Sequence, residues 1–149
     1  MIIAVDFDGT IVEHRYPQIG KEIPFALETL KKLQAEHHQL ILWTIREGEL
    51  LDEAVEYCRL HGVVFSAVND NLRSIVKGKT PCPTGKCRKI IADIFIDDRN
   101  VGGLPDWGLI YKMITEQLNY TELQDFMDGM DIHRKNGRWV GLKRLLCFG

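Results

Sequence analysis

Long apolar runs are missing from this chain. The longest stretches span only a few residues, such as Leu40-Ile41-Leu42-Trp43, whereas a membrane-spanning helix needs about 20. The first residues lack the basic start and extended apolar core of a secretory signal and carry Asp6 and Asp8 instead. Cysteine is scarce: Cys58, Cys82, Cys87 and Cys147 are scattered over 149 residues. That is too few for a disulfide scaffold of this size, so free thiols are expected. Excess charge of one sign is missing too. The formal net charge is −2, which does not advertise nucleic acid or an anionic membrane as a partner. There is no internal repeat and no low-complexity segment. The expectation is a cytoplasmic protein with no membrane partner. Its 149 residues, 45% of them hydrophobic, suffice for a single domain with its own core.

What is present is an alternation. Ile2–Val5 is a continuous apolar run, as in a strand buried on both faces. Pro24 suits the first turn of a helix, and Leu27, Leu30 and Leu33 recur at helical spacing to about Glu36. Gln39–Thr44 reads as a second strand. Glu47–His61 reads as a helix with Leu50, Leu51, Ala54, Val55 and Cys58 on one face and Gly62 as its stop. Val63–Val68 is a third strand, and a loop-like region runs from Asn69 to about Lys89. Ile90–Ile96 contains a fourth strand. A helix is expected over Trp107–Leu118, and Thr121-x-x-Gln124 forms a capping box for a short last one. This order predicts an α/β fold: an open parallel sheet with helices on both faces. Ligands in such sheets bind beyond the carboxyl ends of the strands. Those ends carry Asp6 and Asp8, Thr44, Asn69 and Asp70, and Asp97 and Asp98. Three of four strands are thus expected to deliver carboxylates to one rim.

Residues two apart on an extended chain point the same way, so Asp6 and Asp8 can share one small space with Asp97 or Asp98. Carboxylates crowded together repel, and a proton or a cation relieves them. A hard divalent cation suits oxygen ligands best, and Mg²⁺ takes one or two carboxylates plus a phosphate. Gly9 allows a sharp turn that brings backbone N–H groups close to an anion. Thr44 offers a hydroxyl at the next strand end, and a lysine between 77 and 89 would add positive charge. These parts describe phosphoryl transfer to an aspartate.

Asp6-Phe7-Asp8-Gly9-Thr10 followed by Ile11-Val12 resembles the first motif of the haloacid dehalogenase-like (HAD) superfamily in its phosphatase form. Leu42-Trp43-Thr44 resembles the second motif, and Ile94-Phe95-Ile96-Asp97-Asp98 the fourth. The order and spacing match over roughly residues 1–118. The resemblance implies a three-layer Rossmann-like sheet and a Mg²⁺-dependent phosphatase of phosphomonoesters. Asp6 would form an aspartyl-phosphate, and Asp8 would act as general acid and then base. Mg²⁺ would be held by Asp6, the Asp8 carbonyl and an acid of the 97–98 pair, with Asp98 direct and Asp97 behind it. Thr44 would hydrogen-bond the transferring phosphoryl. The third motif is a lysine; Lys89 fits best, with Lys79, Lys86 and Lys77 in the same interval. The segments 9–24 and 69–89 are too short for a cap domain, so a capless member is implied. Substrate reading then falls to loops, and His14, Arg15, Tyr16, Arg46 and Glu47 are candidates for leaving-group contacts. The expected partner is a small phosphorylated substrate.

Other features carry less. Cys82 and Cys87 with Cys58 and His61 have loose spacing for a zinc staple. Residues 119–149 read as an extension that docks Trp139, Leu142, Leu145 and Phe148 on the core or on a second subunit, which would make a homodimer. Arg134, Lys135, Arg138, Lys143 and Arg144 in that tail are the only hint of nucleic acid, which is not expected as a partner. Two other functions share some of these residues. A receiver-like module phosphorylated on aspartate would carry its target at the end of the third strand. A polynucleotide-end phosphatase would use the basic tail.

Overall fold

A computed structural model describes residues 1–72, 90–118 and 122. Its contacts divide the chain into two units, Met1–Tyr111 and Lys112–Gly149. The elements are β1 (Ile2–Val5), α1 (Ala26–Ala35), β2 (Gln39–Leu42), α2 (Glu49–Leu60), β3 (Ala67–Val68), β4 (Ile94–Ile96) and α3 (Trp107–Thr115). The four strands form one sheet in the order β3-β2-β1-β4, and every pair is parallel. This is the expected α/β Rossmann-like open sheet. No described helix is long and apolar enough to cross a membrane.

Parallel neighbours need a crossover, and α1 and α2 supply the first two. The chain then passes back over β1 to reach β4, so the topology switches between β1 and β4. β1 is central because Ile3, Ala4 and Val5 are all buried. On one sheet face Ala4 and Ile41 pack with Leu72 and Ile90. Leu27, Leu30 and Leu33 of α1 are buried as their spacing predicts, as are Ala54 and Cys58 of α2.

Element ends differ from the sequence reading for local reasons. Pro24 lies before α1 rather than in its first turn; the N-cap is Phe25, in the left-handed region with φ 67°. β2 stops at Leu42 because the Thr44 N–H turns to the Asn69 side chain, Oδ1 at 2.8 Å. The third strand is only two residues, not Val63–Val68. The Val64 N–H is taken by Gln34 Oε1 at 3.0 Å instead of by a neighbouring strand. Gly62, with φ +86°, does end α2, its N–H donating to the Arg59 carbonyl. Asp106 caps α3 through a 3.0 Å bond from the Leu109 N–H. The helix stops at Thr115, short of Leu118; Gln117 adopts φ 53° and the Leu118 N–H returns to the Met113 carbonyl.

Between β1 and α1 the chain makes a narrow antiparallel flap. Val12 pairs with Glu22, and the Glu13 N–H donates to the Lys21 carbonyl at 2.7 Å. Gly20 is needed there because a Cβ would overlap the Glu13 carbonyl oxygen. The capping box at Thr121 and Gln124, the tail from 123 onward, Cys82, Cys87 and Lys77, Lys79, Lys86 and Lys89 lie outside the described residues.

Candidate active site

The carboxyl ends of β1 and β4 lie side by side at the topological switch, where an open parallel sheet leaves a crevice. They bring together Asp6, Asp97 and Asp98, each half-buried, with one carboxylate oxygen from each lying within 4.8 Å of the others. Among the described residues this is the one group of acids, histidines or cysteines arranged to hold a metal ion. The Asp6 carboxyl is pushed up to about 6, chiefly by burial; the Phe7 N–H opposes this, and the charges of Asp97, Asp98 and Asp8 add to it.

Thr10 locks the cluster. Its hydroxyl accepts the Asp98 N–H at 3.0 Å and donates to Asp6 Oδ2 at 3.4 Å. Its carbonyl accepts the indole N–H of the buried Trp107 at 3.1 Å, tying the first turn of α3 to the loop after β1. The chain folds back here through Phe7, whose carbonyl accepts the N–H groups of Ile11 and Val12. Gly9 has φ +91°, and a Cβ there would overlap Asp98 Oδ2. Only glycine allows the loop after β1 to sit this close to the end of β4. Asp98 Oδ1 is buried without a hydrogen-bond partner. A buried acceptor left bare is costly, and a cation that Asp98 held through this oxygen would satisfy it.

Asp8 is not in the cluster. It is nearly fully buried, and both its oxygens accept from Arg46, Nε to Oδ2 and Nη2 to Oδ1, each at 2.7 Å. Hydrogen bonding to Asp8 pushes the Arg46 guanidinium further up from its ordinary value. Arg46 had been expected to reach toward a leaving group. Its side chain is instead completely buried, because the Asp8 carboxylate and two flap carbonyls absorb it.

A cleft of about 230 Å³ opens over these groups. Asp6, Asp8, His14, Trp43, Thr44, Ile45, Asp97 and Arg99 line it. Thr44, expected to bond a phosphoryl group, and His14, expected to meet a leaving group, both line this cleft. Arg15 pairs with Glu13 at 3.8 Å on the exposed flap. Thr44 Oγ1 accepts the Arg46 N–H at 3.3 Å, which leaves its own proton free to donate. A larger open groove, about 460 Å³, lies among Lys21, Phe25, Lys31 and His61; none of the residues expected in the phosphoryl-transfer site lines it.

The third strand does not deliver a carboxylate to the site. Asp70 is exposed and does not line the cleft, while Asn69, at φ 48°, braces the end of β2. Two strands supply acids to the cleft, where three were expected. Arg99 and Trp107 escaped the sequence reading, which set Asn69 at the rim but not its bond to Thr44. Arg99 had a signal in its place beside the acid pair, whereas Asn69 and Trp107 act through contacts that no local pattern announces. Of the loose zinc set, Cys58 is buried and its thiol is pushed up to about 12 by that burial. His61 is exposed, its Nδ1 2.7 Å from the Tyr57 carbonyl oxygen.

No family model and no curated protein matches the chain. Among solved structures it is similar to one described as the structure of a conserved protein coded by a locus from Bacteroides thetaiotaomicron. The two share 60% sequence identity with a TM-score of 0.73, over 83% of this chain and 96% of that one. At that identity and coverage, the chain belongs to the same family as this conserved Bacteroides thetaiotaomicron protein.

Proposed function

We propose that the chain is a Mg²⁺-dependent phosphatase of the HAD type, hydrolysing phosphomonoesters through an aspartyl-phosphate on Asp6. The observation that carries this reading is the convergence of Asp6, Asp97 and Asp98, the last with a bare, buried Oδ1. An all-oxygen set of this kind suits a hard cation. Asp6, Asp98, the Asp8 carbonyl and, behind them, Asp97 would hold it. When bound, Mg²⁺ would neutralise charge on the phosphoryl oxygens and keep Asp6 ionised.

The residues then divide the work. One Asp6 oxygen attacks phosphorus, and the bond from phosphorus to the leaving oxygen breaks. Asp8, entering this step protonated with one of its Arg46 bonds open, gives that oxygen its proton. In the second half Asp8 takes a proton from water, whose oxygen attacks phosphorus. The bond to Asp6 breaks and inorganic phosphate leaves. Thr44 lines the cleft, and its hydroxyl would donate to a phosphoryl oxygen. His14, Trp43, Ile45 and Arg99 form the wall a leaving group would meet. Lys89, proposed as the phosphate clamp, lies outside the described residues.

The test is a panel of phosphomonoesters incubated with Mg²⁺, with Asp6→Asn as blank. Metal-dependent phosphate release that vanishes in the folded variant supports the reading. A panel with no release overturns it, and a stable phosphoprotein without turnover would point to a receiver-like module instead.

A further inference from the structure

We propose that Arg46 is the positioning residue of this site: it fixes the Asp8 carboxylate in the cleft wall and ties it to the flap. The role assigned to Asp8 rests on the phosphatase reading, whereas the tie to the flap stands on geometry alone. The guanidinium is wholly buried and makes four hydrogen bonds. Two go to Asp8 at 2.7 Å, and two go to the flap carbonyls of Pro17 at 2.9 Å and Gln18 at 3.0 Å. Its central carbon lies over two rings, 5.0 Å from the Phe7 centroid and 5.4 Å from that of Tyr16, one from the loop after β1 and one from the flap. The planar fork satisfies carboxylate and carbonyls together, a geometry an ammonium cannot reproduce.

The main chain of Arg46 is fixed independently. Asn69 accepts the Thr44 N–H and donates to the Arg46 carbonyl at 3.4 Å, while Thr44 Oγ1 accepts the Arg46 N–H. The rigid end of β2 thus aims the side chain, and the flap closes over it. Both Asp8 oxygens are acceptors here, so delivering a proton to a leaving group requires one of these bonds to open. His14, on the same flap, lines the cleft.

Two measurements on Arg46→Met, Arg46→Lys and Asp8→Asn test this. The first is amide hydrogen exchange. Both Arg46 variants should accelerate exchange in residues 13–20 by about tenfold or more while β1 stays protected; unchanged flap exchange overturns the tie. The second compares kcat/KM for an alkyl phosphate, whose leaving oxygen needs a proton, with that for 4-nitrophenyl phosphate, which does not. Arg46→Met should lose about a hundredfold on the alkyl ester and less than about tenfold on the aryl ester. Asp8→Asn should show the same selectivity, and the double variant should be no worse than Asp8→Asn. Equal losses on both esters mean a merely structural arginine and overturn the positioning role. Wild-type protein that hydrolyses neither ester rejects the phosphatase reading and the Asp8 role with it; exchange then decides the tie alone. Should Arg46→Met fail to fold, Arg46→Lys and the double variant, which removes both buried charges, carry the same measurements.

Discussion

Asp6 pays for its position in proton affinity. Its carboxyl stands at about 6 in the folded chain against an ordinary 3.8, so the folded state binds this proton more tightly than the unfolded one. Without metal, the stability tied to that proton is fully present below about pH 4 and is lost as pH rises through about 6. Asp6→Asn removes the effect. We expect metal-free Asp6→Asn to be more stable than wild type at pH 8 by about 1–2 kcal/mol, discounted because the group is only half-buried. At pH 4 the gain should vanish. Urea unfolding at the two pH values checks this, and an equal gain at both would refute burial as the cause. Gly9 gives a second expectation. Alanine there meets both a positive φ and Asp98 Oδ2, so Gly9→Ala should push Asp98 away. Mg²⁺ affinity should fall by about tenfold or more, read by calorimetry. The paired Asp6 and Asp8 and the Gly-Thr that follows were legible in the sequence because strand alternation and turn chemistry are local rules. That Asp8 would be engaged by Arg46 was not, since the two stand 38 residues apart.

Among the elements, the flap is the most exposed to a single change. Gly20 has an ordinary φ, but its α-carbon faces the Glu13 carbonyl. Because that neighbour is backbone, Gly20→Ala cannot be absorbed by a rotamer change. It should open the 13–21 pairing and cost about 1–3 kcal/mol. Faster amide exchange over residues 12–22 with an unchanged α1 would show the damage to be local. The helices follow their apolar spacing closely: Leu27, Leu30 and Leu33 are buried as predicted. Their ends were harder to read. Phe25 takes a left-handed N-cap position that its side chain does not favour, and β3 is short because a glutamine from α1 captures its approach. Side chains from other elements make such decisions, and periodicity does not contain them.

For the whole molecule, the sheet order β3-β2-β1-β4 brings residues 6 and 98 together. A cation bound there stabilises the folded state by mass action. Mg²⁺ at about ten times its dissociation constant should add about 1.4 kcal/mol to the unfolding free energy. Asp98→Asn, which removes a carboxylate from the cluster, should lose most of that gain. Thermal unfolding with and without Mg²⁺ measures both. A similar shift in wild type and variant would place the cation elsewhere.

The sequence by itself determined the order of strands and helices and the chemical types waiting at the strand ends, because burial periodicity and turn preference act over a few residues. It also carried the parallel architecture, through the alternation of strand and helix. Only the tertiary structure decided which polar groups would meet. Thr10 joins Asp98 across 88 residues and Trp107 across 97, and Arg46 turns inward to Asp8 rather than outward to the cleft. Those pairings depend on strand order and on which buried groups lack any other partner, and both exist only once the chain has closed on itself.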